Sequence, residues 1–230
     1  MNKKKTVMIT ILTTLIWLAP LRAGTRVYHE KTLDKTDVHN FVYTKTEKGL
    51  IVDLKTVKHD GLEITQQFKL YPNLSTWHWE YDCPAKNTKI TAIRKGDEIF
   101  MTATDRGKKV EKIFEVNELP WNQTFNVGLE KFTMDTKKSM RFWAIGVGGP
   151  GNMKITKFKV KRKEFEKITL SQTKEAVETV HMTISLTGLL SLFWTGNYWY
   201  RVSDGRFLRY RGKNKRGAPV SVMELISSTE

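Results

Sequence analysis

The chain has 230 residues, of which 40% are hydrophobic, and 39 Lys and Arg against 24 Asp and Glu give a formal charge of +15. This hydrophobic fraction is enough for a folded core and excludes a mostly disordered chain. A single cysteine excludes an internal disulfide framework and a cysteine-rich zinc site, and the length suits one β domain or two small ones.

The first 23 residues have the features of a secretory signal peptide. Three lysines at positions 3–5 precede an apolar stretch over residues 7–18, and the small residue Ala23 stands before the predicted cut. The stretch is shorter than the roughly 20 residues that a transmembrane helix needs, which leaves an uncleaved anchor as the less favoured alternative. Cleavage would lower the formal charge from +15 to +11, and residues 24–230 would then form a single β-rich domain.

These features predict export through the general secretion route to the periplasm, or beyond it to the extracellular space. No Arg-Arg pair precedes the apolar stretch and no cysteine directly follows the cut, so neither the twin-arginine route nor a lipid anchor is predicted. Export argues against nucleic acid as the partner of this basic chain. It favours an anionic membrane surface or an envelope glycan instead.

Apolar and polar residues alternate with a period of two along the chain from about residue 38 onward. The alternating runs occupy residues 50–55, 62–70, 88–94, 98–103, 109–116, 139–145, 153–161, 165–170, 176–186, 198–202, 207–210 and 220–226. Turn signals such as Lys48-Gly49 and Asp204-Gly205 separate most of them, and short strands joined by tight turns pair antiparallel. We therefore predict an all-β fold, an antiparallel meander that is curled into a barrel or a half-barrel.

Helical patterns are scarce, which predicts one or two short helices. Residues 118–132 have room for a helical turn or two, with Pro120 suited to a helix start. Residues 189–194 are short and apolar and fit either a helical turn or the end of a strand. No repeat, low-complexity tract or Pro/Ser-rich linker interrupts the sequence, so no domain boundary is predicted within residues 24–230.

The sequence contains no H-E-x-x-H, no G-x-S-x-G and no P-loop motif. Residues 146–151 fit G-x-G-x-x-G, but the segment after them reads as a strand and Pro150 lacks a backbone donor, so we interpret them as a wide hairpin loop. His78, Glu80 and Asp82 share one face of a predicted strand, where a solvated polar face is favoured over a metal or acid/base cluster. No catalytic residue, metal site or cofactor is therefore predicted.

Large aromatic side chains form two patches that are candidates for a ligand site. Trp77, Trp79 and Tyr81 alternate with polar residues and are expected to share one face of their strand. The second patch consists of Trp194, Tyr198 and Tyr200. Aromatics in a β core are the ordinary outcome, but seven tryptophans in 230 residues also suit the lining of a cavity for an apolar or amphipathic ligand.

Basic residues concentrate in two segments of the C-terminal third. Lys157, Lys159 and Lys161 are expected to line one face of a strand, and Arg209 and Arg211 belong to a second block. A solvated strand face that blunts a sheet edge is the ordinary interpretation. The alternative is attraction to anionic lipid headgroups, polyanionic glycans or an acidic partner.

Two groups of residues resemble the signatures of a bacterial exported family of unknown function. The C-terminal group is Phe193-Trp194, Asn197-Tyr198-Trp199-Tyr200-Arg201, Asp204-Gly205, Tyr210 and Glu224-Leu225, and the middle group is Leu119-Pro120-Trp121-Asn122-Gln123. The resemblance implies a curled antiparallel sheet, broadly similar to the half-barrels of the Lol lipoprotein carriers and of mycobacterial lipid carriers. Such carriers hold acyl chains in an apolar cavity, and the family offers no catalytic residues.

Three functional hypotheses follow from the sequence. The first is a periplasmic protein that binds an apolar or amphipathic, lipid-like ligand in an aromatic-lined cavity. The second is a non-enzymatic envelope scaffold or interaction module with a packed interior and a basic surface. The third is an exported glycan hydrolase with Glu80 or Asp82 as acid and base. The interior volume of the sheet separates the first hypothesis from the second.

Overall fold

The computed structural model describes residues 22–147, 152–188, 191, 194–213 and 217–229. The predicted signal segment up to residue 21, the glycine-rich loop at 148–151 and Phe193 lie outside these residues.

Fourteen strands and three short helical elements make up the described structure. The strands are β1 (Arg22–Thr32), β2 (Lys35–Thr46), β3 (Gly49–Val57), β4 (Glu63–Leu70), β5 (Thr76–Cys83), β6 (Thr88–Lys95), β7 (Glu98–Asp105), β8 (Lys108–Glu115), β9 (Ser139–Val147), β10 (Met153–Thr169), β11 (Ala176–Leu186), β12 (Thr195–Arg201), β13 (Phe207–Lys213) and β14 (Val220–Thr229). The helical elements are α1 (Phe125–Gly128), α2 (Glu130–Thr133) and a 3-10 turn at Pro84–Lys86.

All fourteen strands belong to one antiparallel sheet. Strands β1 to β8 pair with their sequence neighbours, as do β9 to β14, and the two meanders are joined where β1 pairs with β14. In the described part of the chain β8 and β9 are the edges and do not pair, so the sheet is open. The sheet curls so that its two ends approach each other. The side chain of Lys112 on β8 donates a hydrogen bond to the backbone carbonyl of Met153 at the start of β10 (2.9 Å). The predicted all-β antiparallel meander with short helices is therefore confirmed.

Most strands lie where the alternation places them, and the exceptions have local causes. The alternation does not predict β1, because two of its inward positions are occupied by the charged residues Arg26 and Glu30. The predicted runs at 153–161 and 165–170 are one strand, β10. A β-bulge at residues 162–165 shifts the alternation there without ending the strand.

The core lies on the inner face of the sheet, where alternate side chains of each strand are buried. One row of buried residues crosses five strands through Tyr43, Val52, Phe68, Trp79 and Ala92. Helices α1 and α2 add further apolar side chains to the same core. Burial of a large apolar side chain stabilises the fold by about 1.5–3 kcal/mol, so this row is a principal source of stability.

The chain between the two edge strands includes a crossing segment, residues 117–123. Asn122 in this segment donates its backbone N–H to Trp143 of β9 (2.9 Å), and a second backbone bond runs back from Trp143 to the segment (2.8 Å). The backbone N–H of Thr76, at the start of β5, donates to Trp121 (2.6 Å). The crossing segment therefore covers the edge of β9 and ties it to β5 in the other half of the sheet.

Gln123 completes this link with its side chain. Its Nε2 donates to the carbonyl of Ile145 (3.0 Å), and its Oε1 accepts from the backbone N–H of Ile145 (2.9 Å). The same oxygen accepts a hydrogen bond from the indole Nε1 of Trp121 (2.9 Å), and the Trp121 side chain is fully buried. The amide of Gln123 thus takes the place of a neighbouring strand and satisfies backbone groups at a sheet edge.

A part-buried ion pair docks α2 onto the sheet. Glu130 accepts a hydrogen bond from Arg26 of β1 and another from the backbone N–H of Phe207 (3.3 Å). Burial raises the pKa of the Glu130 carboxyl, and the neighbouring Arg26 opposes that rise. Gly205, in the β12–β13 turn, lies directly against α2, since a Cβ at this position would stand 2.5 Å from the carbonyl oxygen of Glu130.

We expect Gly205→Ala to destabilise the protein more than Gly61→Ala. Both glycines have a positive φ, +73° and +82°, so an alanine costs about 1–2 kcal/mol of backbone strain at either position. The Cβ at position 61 meets nothing within 4 Å, whereas the Cβ at position 205 would displace α2 at a further cost of about 1–3 kcal/mol. Urea unfolding measures both losses, and equal losses would contradict the close approach to α2.

Candidate functional site

Two clefts lie on the inner face of the sheet. The larger has a volume of about 390 Å³ and the smaller about 290 Å³. The larger cleft is lined by Glu30, Phe125, Asn126, Phe158, Leu186, Trp194, Tyr198, Tyr210 and Met223. The lining of the smaller cleft includes Phe41, Leu54, Ile64, Phe68 and Tyr81, together with His39, Thr56 and Lys58. The lining of the larger cleft is mainly aromatic and aliphatic with a few polar groups, which is typical of small-molecule sites, whereas the smaller cleft also has Gln66, Gln123 and Thr124 in its lining and is more polar.

A thin wall separates the two clefts. Phe125, Asn126, Tyr198 and Met223 line both of them. The ring of Phe125 meets Tyr198 edge-on, with 6.3 Å between ring centroids, and the side-chain amide of Asn126 donates to the sulfur of Met223 (3.4 Å). The phenol of Tyr200 donates to the backbone carbonyl of Phe125 (2.9 Å). The wall therefore combines two side chains of the short helix α1 with Tyr198 of β12 and Met223 of β14, and the buried Tyr200 holds the α1 backbone in place.

The structure divides the first aromatic patch between the two faces of β5. Tyr81 lines the smaller cleft, and Trp79 is buried behind it, donating its indole N–H to Gln66 (3.0 Å). Trp77 lies on the outer face, where the ammonium of Lys69 is 5.8 Å from its ring centroid. A β-bulge opposite residues 69–70 turns Trp77 outward, so the expectation that all three aromatics share one face is wrong for Trp77.

The second aromatic patch lies on the inner face. Trp194 and Tyr198 line the larger cleft, and Trp194 is oriented by donating its indole N–H to the carbonyl of Lys213 (2.8 Å). Tyr200 is fully buried and supports the wall through Phe125. Of the six aromatics singled out in the sequence, Tyr81, Trp194 and Tyr198 line clefts, whereas Trp79 and Tyr200 pack behind the lining.

Two buried polar residues at the clefts escape the sequence analysis. Nε2 of His39 lies 3.2 Å from Glu30, and its Nδ1 lies 2.9 Å from the hydroxyl of Thr56. Glu30 lines the larger cleft and His39 the smaller one. The sequence signal for this pair is that Glu30 and His39 occupy inward positions on β1 and β2. Because the alternation does not predict β1, the sequence does not show which residues of β1 point inward.

Burial changes the acidity of the phenols around the larger cleft. Burial, together with the nearby carboxylate of Glu30, raises the pKa of Tyr210 to about 12. Burial likewise raises the pKa of Tyr198 well above its usual value, with Tyr210 and Glu30 adding to the effect. Both phenols therefore stay neutral near neutral pH and can offer hydrogen bonds to a ligand.

The predicted polar cluster on β5 lies on the outer face. Glu80 and Asp82 line an outer groove of about 550 Å³, together with Asn40, Asp53, Lys55, Gln67 and Lys89. Nε2 of His78 is 3.3 Å from Glu80, but the ring of His78 stacks on Trp77 at 5.6 Å, beside the groove. The structure thus brings Glu80 and Asp82 together on a polar surface, which agrees with the favoured interpretation of this strand face.

The predicted basic residues lie on the outer face of β10 and β13. Lys157 sits 4.5 Å from the ring centroid of Trp143, and Lys161 and Arg211 occupy one row that crosses four strands. Arg209 donates to Glu224, so its charge is offset by a carboxylate. Lys159 and Lys161, with Lys157, follow one face of β10 as predicted, because Val160 between them is buried.

Comparison with solved structures supports the fold. The chain is similar to the crystal structure of a β-barrel-like protein of Domain of Unknown Function DUF1849 from Brucella abortus, with a TM-score of 0.52 and 8% identity over 91% of this chain and 98% of that chain. The hypothetical lipoprotein YmcC from Escherichia coli gives a TM-score of 0.43 and 9% identity over 87% and 85%. No protein-family model and no curated protein matches the sequence.

The similarity to the Brucella abortus protein bears on the fold alone. At that level it supports the expected likeness to bacterial proteins of unknown function, and the correspondence of individual motifs stays a prediction. Within the described residues, no helix has the length and apolar character required to cross a bilayer.

We expect His78 to make the protein less stable as the solution becomes acidic. Burial lowers the pKa of His78, the ammonium of Lys69 lowers it further, and Glu80 opposes the change. In the unfolded chain the pKa of this histidine is about 6.5, so the unfolded chain binds the proton more readily than the folded protein does. The contribution of His78 to stability is therefore complete above about pH 6.5 and is lost as the pH falls through the lower folded pKa.

Urea unfolding between about pH 7 and pH 5 tests this expectation. His78→Gln should lose less free energy of unfolding over this interval than the unmodified protein. Lys69→Met should show an intermediate loss, because it removes only one of the two causes of the lowered pKa. Parallel pH profiles for all three proteins would contradict the assignment.

Proposed function

We propose that this protein is exported to the periplasm and binds an amphipathic, lipid-like molecule in the two inner clefts. The observation that carries the proposal is that the two clefts adjoin each other on the inner face of the sheet. They are clefts of about 390 and 290 Å³ that share the wall of Phe125, Asn126, Tyr198 and Met223. Pockets for small molecules begin at about 300 Å³, so the larger cleft reaches this range and the smaller one falls just below it, which supports a binding protein over a scaffold with a fully packed interior.

The linings suit a chain of methylene groups. Phe158, Leu186 and Trp194 in the larger cleft, and Phe41 and Phe68 in the smaller one, present apolar surface to an occupant. Each methylene group that leaves water contributes about 0.8 kcal/mol. An acyl chain of about ten carbons would thus supply about 8 kcal/mol before the entropic costs of binding are subtracted.

Polar groups at the clefts suit the other end of an amphipathic molecule. Lys58 lines the smaller cleft and forms an ion pair with Asp37 (2.7 Å). Glu30 and the phenol of Tyr210 line the larger cleft. The carboxylate of Glu30 repels an anion at the larger cleft, so an anionic head would lie at the smaller cleft, where it would share Lys58 with Asp37.

A cavity-filling substitution in the wall tests ligand binding directly. Asn126→Trp places an indole where both clefts meet, and we expect it to weaken binding of a fluorescent fatty-acid or phospholipid probe at least about tenfold, or about 1.4 kcal/mol. Asn40→Trp is the matched control, because Asn40 lines the outer groove. Native mass spectrometry of protein purified from its host should also find a bound amphiphile.

Two results would overturn the proposal. One is equal probe binding by Asn126→Trp and Asn40→Trp, with thermal unfolding showing that both are folded. The other is no amphiphile in the native mass spectrum and no response to any lipid of the panel, which would favour the scaffold hypothesis.

We also propose that the outer face of β10 attracts an anionic membrane surface. Replacing Lys157, Lys159 and Lys161 by Glu should reduce binding to vesicles that contain phosphatidylserine by at least about tenfold, because each basic residue near such a surface contributes about 1 kcal/mol.

Replacement of Lys86, Lys89 and Lys108 by Glu gives the same net charge at exposed positions in the other half of the sheet and is the control. Binding of the unmodified protein should also fall as salt is added. Equal losses in the two triple variants would show that net charge, and not the β10 face, is responsible.

A further inference from the structure

We propose that the outer face of β10 to β12 carries a divalent-metal site formed by Glu164, Glu166 and His181, with Zn²⁺ as the best-fitting ion. One carboxylate oxygen from each glutamate and one ring nitrogen of His181 lie within 4.8 Å of one another. Imidazole and carboxylate are both common zinc ligands. The site is on the opposite face from the inner clefts, so it does not depend on the proposed ligand function.

A bulge in β10 brings the two acids to the histidine. Arg162 pairs with Met182 and Phe165 pairs with Val180, so two residues of β10 lie opposite the single residue His181 of β11. Glu164 is one of those two. A bulge that re-aims side chains at the exposed face of a sheet is a recurrent feature of functional sites.

The hydrogen bonding of His181 leaves one ring nitrogen for a cation. Nε2 lies 3.0 Å from Oδ1 of Asn197, whose amide nitrogen donates to the carbonyl of Arg211 (3.4 Å). This orientation of the amide makes Nε2 the protonated nitrogen of the neutral ring. The lone pair of Nδ1 then faces the carboxylates of Glu166 (3.5 Å) and Glu164 (3.8 Å).

A lone pair that faces two carboxylates is repulsive unless a proton on Nδ1 or a metal ion lies between them. Nδ1 of His181 is buried and, among the described residues, has no hydrogen-bond partner. A metal ion satisfies the nitrogen and both carboxylates at once. In zinc sites a second-shell acceptor commonly fixes the histidine through its other ring nitrogen, as Asn197 does here.

The two nitrogen–oxygen distances of the site are close to those of a zinc centre. Bonds of about 2.0–2.2 Å at tetrahedral angles put ligand atoms about 3.3–3.6 Å apart. The nitrogen of His181 is 3.5 Å from Glu166 and 3.8 Å from Glu164, and all three ligand atoms lie within 4.8 Å of one another, so Glu164 must move inward to close a tetrahedral site. Glu164 is 73% exposed and is free to make that adjustment.

Trp199 orients two of the three ligands. Its ring stacks on His181 with centroids 4.9 Å apart and planes within 7°, and its indole N–H donates to Glu166. Arg209, the facing residue on β13, is bound to Glu224, so its charge is offset there. Three protein ligands leave one tetrahedral position for water or for a group of a partner, as in open zinc sites.

Calorimetric titration of the full chain with Zn²⁺ tests the site. We expect one strong binding event, weakened at least about tenfold by Glu166→Gln and by His181→Gln. Glu164→Gln should also weaken it, and this exposed position carries little risk of unfolding the protein. His59→Gln is the matched control, because His59 lies 3.3 Å from a single carboxylate, Asp37. It should bind Zn²⁺ like the unmodified protein.

Thermal unfolding gives an independent readout, because an ion that binds only the folded state raises the melting temperature. We expect Zn²⁺ to raise it for the unmodified protein and for His59→Gln, but not for His181→Gln. Trp199→Phe keeps a stacked ring and removes the indole donor, and it should weaken binding about 10-fold or more. Equal zinc affinity in His181→Gln and His59→Gln, or no zinc-dependent stabilisation of the unmodified protein, would overturn the proposal and leave a simple His–Glu ion pair.

Discussion

The hydrogen bonds between the crossing segment and the edge strand β9 are the constraint on which this structure depends. An open sheet has two edges with unpaired backbone groups, and the chain must pass from one edge to the other. Here residues 117–123 make that passage while pairing with Trp143 and Thr76. One connection therefore covers an edge, joins the two halves of the sheet, and directs α1 and α2 onto the inner face.

The inner volume follows from where that connection leads. Residues 125 and 126 leave the crossing segment and enter the concave side of the sheet, where Tyr200 holds the carbonyl of Phe125. They divide the interior into two clefts, and Glu130 then anchors α2 through Arg26. Because the wall joins Phe125 and Asn126 of α1 to Tyr198 of β12 and Met223 of β14, the volume available to a ligand depends on the position of this helical turn against those two strands.

The two faces of the sheet have different chemistry because strand side chains alternate. The inner face is mainly apolar, and Glu30, His39 and Arg26 on it each have an opposite charge or a hydrogen-bonding group beside them. The outer face carries charges of both signs, mostly as isolated residues or simple pairs. At the β10 bulge, the break in alternation places Glu164 beside His181.

The sequence by itself determined the class of fold and the direction of most side chains, because a period of two is a local property of each strand. It was sufficient to predict the antiparallel meander and the inward positions of Tyr81, Trp194 and Tyr198. Only the tertiary structure decided the pairing of β1 with β14, the outward turn of Trp77 at its bulge, and the meeting of Glu30 with His39. These features depend on the register between strands or on contacts between separate strands. A local sequence pattern predicts neither the register nor such contacts.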